Sequence, residues 1–74
     1  MTKTTPLAAK LGQVLRTHRR ATGLSQDDFA DRIHMHRAYY SAIERGEKNI
    51  TLVTLHRIAL GFGVSMSNLL VDVD

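Results

Sequence analysis

SQDDFADRIHMHRAYYSAIERG, residues 25–46, carries two short helical patterns separated by three residues, and its reading decides the fold. Ser25 is an N-cap residue whose hydroxyl accepts from a backbone N–H; Asp28 completes a capping box, and Asp27 complements the positive end of the helix dipole. Phe29, Ala30 and Ile33 then supply a narrow apolar stripe, in which Ala30 is small enough to let another helix cross closely. After a turn and a half the pattern resets at His34-Met35-His36. A second helix follows from about Arg37 to Arg45, with Tyr40 and Ile43 on one side and Arg37, Ala38, Ser41 and Ala42 facing elsewhere. Gly46 ends it.

Upstream, residues 1–6 are polar and end in Pro6, which reads as a disordered N-terminal arm. Leu7, Leu11, Val14 and Leu15 recur at helical spacing, so a helix is expected from about Leu7 to Thr22, closed by Gly23 in a left-handed conformation. Downstream, the loop GEKNI leads to Thr51, a plausible N-cap, after which Leu52, Leu55, Ile58, Ala59 and Phe62 mark another helix. Gly61 and Gly63 close it. Ser65 caps a short fifth helix, MSNLL, and residues 72–74 form a short acidic tail. With no internal repeat and no alternating strand pattern, the chain reads as an all-α fold of five helices in one domain, residues 7–71.

Seventy-four residues fit one small core, which buries only about 60% of the surface of the unfolded chain. There is no cysteine, so neither a disulfide nor a thiolate metal site supplements that core, and a reducing, cytoplasmic setting is expected. The longest apolar run, 53–64, is broken by Thr54, His56 and Arg57, and the N-terminus lacks an apolar signal core, so no membrane association is expected. The net charge is +3. Lys10, Arg16, Arg19 and Arg20 load one end and Arg32, Arg37, Arg45 and Lys48 the middle, a segregation that suits a polyanion as well as it suits a solvated surface. His34 and His36, with His18 and His56, match no zinc spacing, so no metal or other cofactor is expected. An enzyme is not expected either, since no nucleophile is paired with a base and no glycine-rich phosphate cradle appears.

Two short helices joined by a tight turn, the second bearing an exposed arginine in its first turn, form a helix-turn-helix. From Leu11 to Leu70 the chain resembles the lambda-repressor-like (Cro/XRE-type) helix-turn-helix regulators, with LSQDDFADRI and YSAIERG matching the characteristic segments of that family. Within it, HRAYYSAIERGEKNITLVTLHRIA resembles the small controller proteins of restriction-modification systems.

The resemblance implies that the third helix enters the major groove of double-stranded DNA with Arg37, Ala38, Ser41 and Ala42 toward the base edges. A guanidinium at Arg37 suits guanine O6 and N7, the alternatives being a phosphate contact or a solvated charge. Gln26 stands where the family has a glutamine that meets backbone phosphate. Tyr40 occupies a place where the family buries a branched aliphatic residue, and Tyr39 falls on the flank that faces DNA in the controller subgroup, unless it packs on the preceding turn. Glu44 is expected to pair internally with Arg19, the alternative being an exposed acid flanked by Arg45. Arg45, Lys48, Asn49 and Thr51 are expected along the phosphate backbone. The turn position usually held by glycine is His34, in a conformation that histidine tolerates better than most residues.

One helix-turn-helix reads about half a turn of duplex, so a homodimer on an imperfect palindrome is expected. Val53, Phe62, Met66, Leu69, Leu70 and Val71 provide the apolar surplus for its interface. Asp27 and Asp31, four apart on one face, correspond to a surface that touches RNA polymerase in the family, or else serve only helix capping and the dipole. The functional expectation is a DNA-binding regulator that controls its own operon; the competing one is an antitoxin-type protein-interaction module of the same fold.

Overall fold

The computed structural model describes residues 5–73. Residues 1–4 of the arm and Asp74 of the tail lie outside the described residues. Five helices follow in order: α1 (Pro6–Thr22), α2 (Gln26–Arg32), α3 (Arg37–Glu44), α4 (Leu52–Phe62) and α5 (Met66–Leu70), with no strand among the described residues.

Hydroxyl caps start four of them. Thr5, Ser25, Thr51 and Ser65 accept from the backbone N–H of Ala8, Asp28, Thr54 and Asn68, respectively. Pro6 is the first residue of α1 rather than the last of the arm, because a proline there lacks only an N–H that has no helical partner anyway. Between α2 and α3, His34 takes φ 56°, as its place in the turn implies. That left-handed residue lets Met35 N–H reach back to the Ala30 carbonyl at 2.9 Å and sets α3 across α2.

The core gathers one side of every helix: Leu15, Phe29 and Ala30, Tyr40 and Ile43, Ile58, and Leu69 are essentially without solvent contact. Phe29 is its centre, stacked on Phe62 at 4.2 Å and tilted against Tyr40 at 5.1 Å. Rings in offset or tilted contact add to the burial of their area.

The core corrects part of the expected dimer surface. Leu69 is fully buried and so completes the monomer, whereas Phe62, stacked on Phe29, and Met66 pack against the same cluster but stay half-buried. Val73, from the acidic tail, is likewise 3% exposed. A domain this small has so little apolar surface to bury that its last helix has to supply part of the core.

Gly12 sets the distance between α1 and α3. A Cβ there would collide with the Ile43 and Glu44 carbonyl oxygens. Gly12→Ala is therefore expected to lower unfolding free energy by about 1–3 kcal/mol, the usual cost of overpacking, read as a lower urea midpoint at unchanged slope.

Candidate nucleic-acid interface

Glu44 ends α3, and its side chain has no solvent exposure. Arg19 of α1 donates to it twice, Nε to Oε2 at 2.7 Å and Nη2 to Oε1 at 3.1 Å. Tyr40 OH donates to Oε2 at 2.6 Å, and Gln26 Nε2, at the start of α2, donates to Oε1 at 2.9 Å. Arg16 Nε stands 3.6 Å from Oε1, and Arg19 Nη1 continues to the Leu24 carbonyl at 2.9 Å. Burial pushes the Glu44 carboxyl up, but the hydrogen bonds from Arg19, Tyr40 and Gln26 outweigh it and hold the group below the ordinary carboxylate range. Burial also raises the Tyr40 phenol, with Glu44 adding to the rise, so the phenol stays protonated and donating. The acid expected to pair with Arg19 thus pins three helices at one point.

The opposite side of α3 is open. Arg37 and Ala38 are exposed and Ser41 half-buried, as a groove-facing surface requires. Ala42 is not part of it. At 6% exposure its methyl is taken up by the fold, one helical turn after Ala38. Tyr39 is 37% exposed and lies under Lys48, whose Nζ is 6.0 Å from the ring centroid. Tyr39, Lys48 and exposed Asn49 therefore continue the surface past the end of α3. The Thr51 hydroxyl is engaged with Thr54 as the α4 cap, and the residue stays exposed.

Carboxylates hold the exposed arginines at the two ends of α3. Arg37 donates from Nε and Nη2 to the two oxygens of Asp31, at 3.3 and 2.8 Å, with Asp27 3.6 Å from Nη1. The hydrogen bond and charge of Arg37 draw the Asp31 carboxyl down from its usual value. Arg45 donates from Nε and Nη2 to Glu47, at 2.9 and 3.0 Å, and from Nη1 to Ser41 Oγ at 2.8 Å. Asp27 and Asp31, expected to face polymerase, are thus turned toward Arg37. Sequence reasoning passed over Glu47. Its signal is Gly46, whose φ of 77° folds the chain back so that a residue two positions past Arg45 meets its guanidinium.

A second open surface is apolar. Val53 and Val71 are 74% exposed, Leu70 is 40% exposed, and Leu7 and Leu52 join them. Leu7, Leu52 and Leu70 rim a groove of about 210 Å³ floored by Leu11, Leu55 and Val73. Leu7 and Leu52 were read only as the inward stripes of their helices, yet both face out. No helix among the described residues is long and apolar enough to cross a membrane.

A helix-turn-helix family model matches residues 15–69. The chain is 45% identical over 53 residues to control protein C.MunI of a Mycoplasma species, covering 72% of each chain. It is 37% identical over 60 residues to control protein C.SmaI of Serratia marcescens, covering 81% of this chain and 71% of that one. Among solved structures, the restriction-modification controller protein C.AhdI from Aeromonas hydrophila superposes with TM-score 0.81 at 35% identity, over 84% of this chain and 94% of that one. A second controller, C.Esp1396I, solved as a tetramer in complex with its natural 35 base-pair operator, superposes with TM-score 0.79 at 31% identity, over 90% and 93%. The chain belongs to the Cro/XRE-type helix-turn-helix family of transcription regulators, and within it is similar to restriction-modification controller proteins.

Removing the phenol hydroxyl tests the Glu44 hub. Tyr40→Phe is expected to cost about 1.5–3 kcal/mol, the worth of a hydrogen bond to a charged group, by chemical denaturation. Because the folded carboxyl titrates below its unfolded value, the stabilisation is fully present above about pH 4.3 and is lost as pH falls from there through the folded value. A profile of Tm against pH is expected to drop along that limb in the native protein and to drop less steeply in Glu44→Gln.

Proposed function

We propose that the chain binds a palindromic operator as a homodimer in the cytoplasm, with α3 in the major groove, and thereby controls transcription of its own operon. The observation that carries this reading is the two-sidedness of α3. Its inner side is fixed by Tyr40, Ile43 and the Glu44 hub, and its outer side presents exposed Arg37 and Ala38 and half-buried Ser41, with no covering element among the described residues. In this reading Arg37 contacts guanine and Ala38 admits close approach to a thymine methyl. Ser41 accepts from Arg45, so its own hydroxyl hydrogen is available to an acceptor on the duplex. Gln26 Nε2 gives one hydrogen to Glu44 and keeps the other for phosphate, beside Tyr39, Arg45, Lys48 and Asn49.

The apolar groove supports the dimer. Three exposed leucines around one cleft, with exposed Val53 and Val71 next to two of them in the chain, form the kind of patch that a second copy covers. The interface is assigned to Val53, Leu70 and Val71 together with Leu7 and Leu52. One controller relative is described as a tetramer on its natural operator, which favours multiple copies on DNA here as well. The engagement of Asp27 and Asp31 with Arg37 favours a role for both acids within the DNA-reading surface over a contact with RNA polymerase.

Binding to the duplex upstream of its own gene is expected to be tight at low salt and to weaken by orders of magnitude between about 50 and 200 mM, measured by fluorescence anisotropy. Arg37→Ala is expected to relax discrimination at one base pair by about 1–3 kcal/mol while non-specific affinity changes little. An unaltered ranking of duplexes in that variant contradicts the assignment. Leu52→Glu with Val53→Glu is expected to sediment as a monomer and to lose operator affinity with its helical content intact.

A further inference from the structure

We propose that Asp31 is a specificity-determining positioning residue, which holds one edge of the Arg37 guanidinium so that the other edge reads guanine and phosphate is disfavoured. This rests on the reading of α3 as the groove-facing helix.

A guanidinium offers two edges, Nε with one Nη nitrogen and the pair of Nη nitrogens, each able to donate two parallel hydrogen bonds. Asp31 takes the first edge through both of its oxygens, at 3.3 Å from Nε and 2.8 Å from Nη2. The second edge, Nη1 with the remaining hydrogen of Nη2, makes no hydrogen bond among the described residues. Asp27 approaches Nη1 only to 3.6 Å, too long for one. Asp31 lies in the last turn of α2 and Arg37 opens α3, and the left-handed turn at His34 brings them together. The fork is thereby fixed relative to the helix that carries it.

The acid affects the two classes of acceptor differently. Guanine O6 and N7 are neutral acceptors at fixed spacing, and a fork held in place loses little freedom on meeting them. Phosphate is an anion, and a carboxylate bonded to the same guanidinium offsets the attraction that would draw Arg37 to any stretch of backbone. Asp31 therefore widens the gap between operator and other DNA from both sides. The other end of α3 shows the contrast. There Glu47 takes the same edge of Arg45, but Nη1 on the second edge already donates to Ser41 Oγ, so that edge is partly engaged within α3. Of these two solvated pairs, the one at Arg37 leaves both nitrogens of the second edge without a hydrogen bond along that edge among the described residues.

The pair is exposed, 59% at Arg37 and 55% at Asp31, so its removal changes stability little and Asp31→Asn is expected to fold. Anisotropy titrations with the upstream duplex and with a scrambled duplex of equal length compare the native protein with Asp31→Asn and Asp72→Asn. Asp72 is exposed and lies outside the helix-turn-helix, so its variant carries the same change in net charge. Asp31→Asn is expected to tighten scrambled binding by about threefold to tenfold and to narrow the operator-to-scrambled ratio by about tenfold. The salt slope on scrambled duplex is expected to steepen by about one. Asp72→Asn leaves the ratio within about twofold, and Asp31→Asn in an Arg37→Ala background has no further effect on it. A ratio unchanged in Asp31→Asn, or changed equally by Asp72→Asn, overturns the role given to Asp31. A native protein that prefers neither duplex overturns instead the reading on which that role rests.

Discussion

A carboxylate removed from water keeps its charge only if the protein replaces the water around it. Glu44 does so with four hydrogen bonds, two from Arg19 and one each from Tyr40 and Gln26. Its three partners come from α1, α2 and α3 itself, so meeting the needs of one side chain fixes the relative placement of these three helices. A buried pair of this kind is weak evidence for net stability, since the charges are costly to desolvate. Its consequence here is geometric. If α3 rolled about its axis by a fraction of a turn, Glu44 would lose its donors and the outward residues would leave the groove-facing side.

The same charge pattern continues outward with different stakes. At the centre, acid and base are buried and the pairing is structural. At the rim, Arg37 with Asp31 and Arg45 with Glu47 are solvated pairs that contribute little to stability. There they set which donor hydrogens of α3 remain free. The outer side of α3, proposed to face DNA, is consequently less cationic, and more directional, than a count of its arginines suggests.

Much of this was legible in the sequence because the signals are local. Serine and threonine caps, glycine stops and the stripe of Phe29, Ala30 and Ile33 depend on neighbours a few residues away, and all five helices follow from them. The partnership of Arg19 with Glu44 and the placement of Tyr40 in the core were both implied by resemblance. What escaped was decided by tertiary contact. Nothing near Gly12 announces that α3 crosses there, and nothing near Leu69 says whether its side chain fills the monomer or faces a partner. Ala42 shows the limit of a helical wheel: it shares a broad face with Ala38 and Ser41, yet it is buried where they are not. Asp31 and Glu47 were visible as residues but not as partners, because each meets its arginine across a turn whose left-handed residue sets the approach.

The most direct test of the central claim is an NMR titration of the labelled protein with the upstream duplex, following backbone amides and arginine Nε–H signals together. The account predicts that Arg37 Nε–H and the amides of Ala38 and Ser41 shift strongly, while Arg19 Nε–H stays protected in its bond to Glu44. Shifts confined to α4 and α5, or an Arg19 Nε–H that loses protection as DNA binds, would contradict it.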